Sequence, residues 1–471
     1  MEHKQNADLG QDASGLSVQT EDAQIRQTSV DMSAHFTTLQ LLKYAAPSMA
    51  MMVFTSIYGV VDGFFVSNFA GSTAFAAVNF IMPFIMILCS VGFMVGTGGS
   101  ALIASAAGEG DVPRANSYFC KLVTFTFMVG IVVAVFGFFF ARPLAQLMGA
   151  TGIMLDLSEI YARISMISLP FYMLQCLFQA FFNTAGKPKV GFVVTLCAGC
   201  TNIVLDIVFV GILGFGVEGA AAATVCSEFI GGGVSLIYFT RKNPTPYTYR
   251  PVLPNPRLIG RTCINGSSEM VANIAMSLVG MVYNIQLLRL LGENGVSAYG
   301  VIMYVSLLFS AIFIGYEIAC SPLMSFQNGA GNTCEKRSLF KKSMLIISVA
   351  SVILFVIGES CAYPIAYIFT GYNQDLCDLT VMAFRMYACS FLFMGIAMYG
   401  SAFFTSLENG LISAIISFVR TLVCELGAVI ILPYLFGAQA IWLSFVVAEI
   451  VAALLSGLLI VAFSRKYGFR D

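Results

Sequence analysis

Two aspartates lie in stretches that are otherwise apolar, and they are the residues best placed to do chemistry. Asp62 falls in Tyr58-Gly-Val-Val-Asp62-Gly-Phe-Phe, and Asp206 closes Asn202-Ile-Val-Leu-Asp206. On a helix, residues four apart share a face, so each carboxyl group lies beside an oxygen-bearing neighbour, Tyr58 or Asn202. Thr224, in a later apolar run, supplies a hydroxyl. A carboxylate in the bilayer core costs roughly 2.5–3.5 kcal/mol even on the forgiving insertion scale, so it must be paired, hydrated or neutral. Such a group can take and release a proton, and carboxylate, amide and hydroxyl oxygens gathered together also suit Na⁺.

Further polar residues interrupt the apolar sequence. Glu228, Glu269, Glu317, Glu425 and Glu449 are intramembrane acids, and Arg420 stands five residues before Glu425, a spacing that only loosely permits pairing on an α-helix. Gln175, Gln179 and Asn183 recur at four-residue intervals, a stripe expected to face a cavity. The 41 Phe, 19 Tyr and 23 Met could in part line an adaptable apolar cavity for flat cations.

Other chemistries find little support. Both histidines, His3 and His35, lie in the polar N-terminal stretch, and the thirteen cysteines are scattered through apolar segments where Cys packs as a small hydrophobe. Cys197 and Cys200 have C-x-x-C spacing but no second pair or nearby His, so they read as packing. H-E-x-x-H, G-x-S-x-G and Walker A patterns are absent, which supports neither hydrolysis nor ATP drive. Gly108-Glu-Gly-Asp111 has the G-x-G-D form of intramembrane aspartyl proteases, yet the Tyr-Asp pair that commonly completes such a site does not occur. Asp111, just before Val112-Pro113-Arg114, is expected to cap a helix.

The elements that must carry these residues follow from composition. Of 471 residues 58% are hydrophobic and 10% charged, with mean hydropathy +0.84, which excludes a water-soluble fold. A net charge of −1 leaves no basic field for nucleic acid. Apolar stretches long enough to cross about 30 Å of hydrocarbon recur between short polar breaks. They predict an all-α membrane protein with about twelve helices, near 41–69, 74–106, 118–141, 158–184, 189–211, 217–240, 261–291, 296–326, 341–358, 380–407, 411–434 and 438–463. The 358–380 stretch reads as an extramembrane loop with a short helix.

An even helix count puts both termini on one side. Most of the Lys and Arg then fall on that side too, with only Arg142, Arg163, Arg289 and Arg385 opposite, so the positive-inside rule predicts cytoplasmic termini. Residues 1–38 carry no apolar core or cleavage site and read as a polar cytoplasmic tail. Residues 39–240 form a first six-helix lobe, the proline-rich stretch 241–260 a cytoplasmic linker, and 261–471 a second lobe.

The lobes repeat. A shift of 221 lays Phe75–Met82 on Val296–Met303, Gly108-Glu-Gly-Asp111 on Gly329-Ala-Gly-Asn332, and Glu228 on Glu449. A shift of 222 lays Arg163 on Arg385 and Ala180-Phe-Phe182 on Ala402-Phe-Phe404. Six helices per copy start both copies on the same side, so a pseudo-twofold along the membrane normal should relate them. Two such bundles create a central cavity, and rocking them gives alternating access.

These motifs as a set resemble the multidrug and toxin extrusion (MATE) family, in the branch of MepA-like and DinF-like pumps. The resemblance runs from about residue 40 to 465, through Pro47 and Tyr58–Phe65, Gly98–Asp111, Asn202–Asp206 and Gly216-Val-Glu-Gly-Ala-Ala-Ala-Ala-Thr224. It implies export of organic, often cationic, compounds across the cytoplasmic membrane in exchange for H⁺ or Na⁺, by a protein that is not an enzyme and needs no cofactor beyond that ion. It also implies that Asp62, Tyr58, Asn202, Asp206 and Thr224 form the coupling site of the first lobe, and that Pro47 is a helix-bending candidate. Glu269, Gln175 and Gln179 are candidates for substrate contact or a second-lobe site. The helix-ten acid expected beside Glu269 is replaced by Ala397, which weakens a complete second ion site. A monomer is expected. The alternative of the same architecture, a lipid-linked oligosaccharide flippase, would need several basic residues in a membrane interior that is mostly acidic here.

Overall fold

The structure, a computed structural model, describes residues 31–371 and 373–469. Helices dominate it, and no strand occurs among the described residues. In the first half, α1 is Thr38–Phe65, α2 Ser72–Gly108, α3 Val112–Leu147, α4 Gly152–Thr184, α5 Pro188–Asp206 and α6 Gly216–Thr240. Thr37 starts α1 with a capping box to Gln40, satisfying two otherwise free backbone donors.

The second half is less regular than its sequence predicts. Pro256–Gly329 is one continuous helical run except at Gly292, whose φ of 67° and ψ of −159° divide it into α7 and α8. Only glycine adopts that backbone at no steric cost, so one residue turns the chain where a loop over 292–295 was expected. The loop expected at 358–380 is also corrected. Helix α9 runs unbroken over Thr333–Thr370, with Ala362 and Ala366 buried. Glu359 and Pro364 disguise this stretch in the sequence, but Glu359 sits near Arg385 at 3.8 Å, and Pro364 lies within the last two turns. Helix α10 has two arms, Gln374–Ala388 and Phe391–Ser406, meeting at 45°. Helix α11 covers Gly410–Phe418 and Leu426–Phe436 around a π turn, and α12 covers Ser444–Phe463 after the 3₁₀ turn Ala438–Leu443.

Among the described residues ten helical runs are long and apolar enough to cross a membrane, the two arms of α10 taken together make an eleventh, and the 74-residue run divided at Gly292 is long enough for two spans. The repeat is visible in its caps. Asp111 accepts from Arg114 N at 3.0 Å to start α3, and Asn332 accepts from Glu335 N at 3.1 Å to start α9. The G-x-G-D aspartate is therefore a helix cap.

The lobes press together along α2 and the α7–α8 run. Small residues make this possible: a Cβ on Gly266 would stand 1.9 Å from Met94 O, and one on Gly108 would stand 2.0 Å from Phe326 O. Of the segment expected as a polar tail, residues 1–30 lie outside the described residues. Its last part packs on the second lobe, with Met32 and Phe36 buried, Gln327 donating to Met32 O at 2.8 Å, and His35 Nδ1 2.5 Å from Glu335 Oε2.

Candidate functional site

Helix α1 reaches α5 closely because α5 offers Gly199 at the crossing. A Cβ there would fall 2.5 Å from the Phe54 ring and 2.7 Å from the Tyr58 ring. This approach sets Asp62, one turn beyond Tyr58, opposite Asp206 on α5. The two carboxyl groups come within hydrogen-bonding reach of each other. Asp206 is fully buried, neither of its oxygens meets a donor, and Asp62 Oδ1 is buried without one as well. Two buried acceptors facing one another repel unless a proton or a cation lies between them.

The backbone is unusual at the same places. Helix α1 passes into a π turn, Val66–Ala70, one turn after Asp62, and α5 passes into another, Ile207–Ile212, directly after Asp206. Such turns widen the helix and recur at functional sites. A third, Val419–Glu425, holds Arg420 and Glu425 in α11.

The other residues predicted for the site fall around this pair. Asn202 is buried with its Oδ1 unpartnered, one turn before Asp206. Thr224 on α6 is half-buried and lies beside the Tyr161 hydroxyl. The Tyr58 hydroxyl lies beside the Gln175 amide and within electrostatic reach of Asp62 and Glu228. Gln175 and Gln179 line a narrow cavity with Phe178, Phe182, Thr195 and Ser235, and the Oε1 of each is buried without a partner. Asn183 instead ties α4 to α1, accepting from Ser48 Oγ at 2.8 Å and, through its carbonyl, from the Tyr44 hydroxyl at 2.9 Å. Pro47 lies inside α1, which continues through it as a helix.

Tyr161 and Ser168, both on α4, are additions that sequence reasoning missed. Tyr161 is buried within electrostatic reach of Asp62, Glu228 and Asp206, and Ser168 Oγ donates to Glu228 Oε2 at 2.5 Å. The signal for the second was present, because Glu228 matches Glu449 and Ser168 matches Ser390 at the repeat spacings.

In the second lobe Glu269 lies within electrostatic reach of Arg420, and Glu317 within reach of both. Ala397 is fully buried, so no acid meets Glu269 from that position. Arg420 pairs with Glu449 across helices rather than with Glu425, the partner weighed from the sequence. Cys197 and Cys200 are exposed on α5, and no group of three or more His, Cys, Asp or Glu able to hold a metal ion occurs among the described residues.

The chain resembles known proteins over most of its length. The chain is 23% identical over 417 residues to the multidrug export protein MepA of Staphylococcus haemolyticus, covering 88% of this chain and 91% of that one. It is 22% identical over 424 residues to MepA of Staphylococcus aureus strain NCTC 8325, covering 89% and 92%. Its fold matches a crystal structure of MATE in complex with MaL6 with a TM-score of 0.85 at 22% identity, over 90% of this chain and 96% of that one. It also matches an outward-facing multidrug resistance MATE transporter of the MOP superfamily with a TM-score of 0.84 at 23% identity, over 91% and 96%. The MatE family model matches residues 47–208 and again residues 270–431, one match in each six-helix repeat. With both matches together spanning well over half of its length, the chain belongs to the MatE family of membrane transporters.

Proposed function

We propose that the protein is a secondary active antiporter that exports organic, often cationic, compounds across the cytoplasmic membrane in exchange for H⁺ or Na⁺. The observation that carries this reading is the opposition of half-buried Asp62 and fully buried Asp206, with Tyr58, Asn202 and Thr224 on the same helices and on α6 beside them. An antiporter must bind its ion and its substrate preferentially in different conformations, which requires a site whose free energy depends strongly on occupancy. Two facing carboxyl groups supply that dependence, because protonation or Na⁺ converts their repulsion into attraction.

The multidrug export named for the MepA relatives supports the substrate class, and the acidic membrane interior suits cations. Glu269, Gln175 and Gln179 are the proposed substrate contacts, and Pro47 the point at which α1 bends, since its missing N–H removes one helix hydrogen bond. Alternating access would part the seam between α2 and the α7–α8 run and close the opposite end. The predicted division into lobes 39–240 and 261–471 with a linker at 241–260, cytoplasmic termini and a monomeric state belong to the same proposal.

The test is transport of a fluorescent organic cation in proteoliposomes under pH and Na⁺ gradients imposed separately. Uptake driven by one gradient in one orientation is expected and identifies the ion. No response to either gradient in either orientation would remove the antiporter reading.

A further inference from the structure

The second lobe holds a charged cluster that the coupling site does not use. From the π turn of α11, Arg420 grips Glu449 of α12, with Nε 3.0 and 3.1 Å from the two carboxylate oxygens and a terminal nitrogen 2.6 Å from Oε1. Charge-assisted contacts of this forked kind are the strong ones. Hydrogen bonds in a π turn run from residue i to i+5, so Glu425 comes round beside Arg420 and lies within its electrostatic reach, as does Glu317. Glu425 is 9% exposed, and no side-chain hydrogen bond reaches it among the described residues. Glu317 Oε1 is buried without a partner. Together with Glu269, four carboxyl groups thus share one fixed cation.

The first lobe shows what that cation displaces. There the repeat counterpart of Glu449, Glu228, takes its hydrogen bond from Ser168. The counterpart of Ser168 is Ser390, which is fully buried at the elbow of α10 and has no partner for its hydroxyl. Glu449 has therefore exchanged a neutral serine for a guanidinium. The space has been exchanged as well. In the first lobe the Phe54 and Tyr58 rings fill the crossing beside Gly199. Their counterparts on α7 are the small buried residues Ala275 and Val279, with Ser56 on Ser277 and Gly59 on Gly280 fixing the register. The repeat position of Gly199 itself is Arg420, so the second lobe carries a long side chain where the first has none and small residues where the first has rings.

We propose that Arg420 is a specificity-determining residue, a tethered cation that occupies Glu449 and so sets how much positive charge a substrate may bring to the second lobe. The inference rests on the cation-export reading above. With Arg420 in place, one carboxylate is already answered, and a second positive charge on a substrate has fewer partners. Without it, Glu449 is a buried carboxylate lacking its cation, and a second charge on the substrate is drawn there.

The test is equilibrium binding to the purified full-length protein of an aryl monoquaternary ammonium and its bis-quaternary analogue. Arg420→Gln should raise the ratio of dication to monocation affinity by about tenfold or more, the scale of one unit charge at roughly 8 Å in a medium of effective permittivity about 20. Glu449→Gln should lower the ratio, the double variant should return it toward the wild-type value, and Arg420→Lys, which keeps the charge, should hold it there. A merely structural ion pair would weaken both ligands in parallel and leave the ratio flat, and that result overturns the inference. If Arg420→Gln does not yield monodisperse protein, Glu449→Gln decides, because an unchanged ratio there overturns it equally. Wild-type protein that binds neither compound would count against the cation reading itself, whereas binding of both with flat ratios counts against Arg420 alone.

Discussion

Asp62 and Asp206 face one another from α1 and α5 with no hydrogen-bond donor on the buried oxygens between them. The arrangement is stable only when something positive is shared, and this makes the pair sensitive to the state of the transport cycle. Replacing Asp206 by Asn keeps volume and hydrogen-bonding capacity but removes the charge. Asp206→Asn protein should insert and bind substrate, yet lose gradient-driven export by roughly tenfold or more, since each 1.4 kcal/mol of lost coupling is a factor of ten. Asp62→Asn should behave alike, and the double variant should be little worse than either, as expected for residues of one unit. Near-normal coupled export by Asp206→Asn in proteoliposomes, measured beside substrate binding, would contradict the assignment.

Glu269 lies in the second lobe without an acid at Ala397. Glu269→Gln should therefore weaken export of cationic substrates more than it alters ion dependence. Initial rates for a matched cationic and neutral pair, at several Na⁺ and pH values, separate the two effects. Equal loss for both substrates would count against a role in charge recognition.

The seam between the lobes has no room for a side chain at its glycines. Gly266→Val places atoms where a Cβ alone would approach Met94 O to 1.9 Å, so the observed closure of α2 on α7 cannot form without backbone movement. Overpacking of this kind costs about 1–3 kcal/mol. The variant should insert normally but populate the observed conformation less, read as faster labelling of a cysteine introduced beside Gly98. Unchanged labelling and transport would show that the seam does not gate access.

The strap ahead of α1 joins that helix to the second lobe. Phe36 is 6% exposed, and its carbonyl accepts from Lys342 Nζ while its N–H reaches Glu335 Oε1 at 3.3 Å. Phe36→Ala should lower the thermal unfolding midpoint in detergent, since loss of a buried ring costs about 3–5 kcal/mol. Glu335→Gln should lower it less, because the Asn332 cap to its backbone survives. A midpoint unaffected by Phe36→Ala would mean that the strap does not hold the lobes.

Asp111 and Asn332 do the same capping work in the two repeats. Asp111→Asn should leave transport intact, whereas Asp111→Ala should destabilise α3 by about 0.5–2 kcal/mol. Loss of transport in Asp111→Asn protein of normal stability would reopen a chemical role for this residue.

The sequence by itself determined the membrane class, the count of about twelve spans and the twofold repeat of six helices, because each of these rests on local quantities: runs of apolar residues, a fixed spacing between copies, and glycine or proline at the breaks. It also marked Asp62 and Asp206, since a carboxyl group in an apolar run stands out without any partner in view. Where local signals conflicted it misled, as at Glu359 and Pro364, whose charge and ring suggest a loop although α9 continues through both. Partners were decided only by the tertiary structure. The spacing of Arg420 and Glu425 only loosely permits a pair within one helix and names no other partner, whereas Glu449, 29 residues away on α12, holds the guanidinium. Likewise Gly199 looks like one glycine among 43 until the rings of Phe54 and Tyr58 are seen against it. The physical reason is the same in each case: a buried charge or a missing side chain is answered by whatever the packing of distant helices brings within a few ångströms, and spacing along one helix does not encode that meeting.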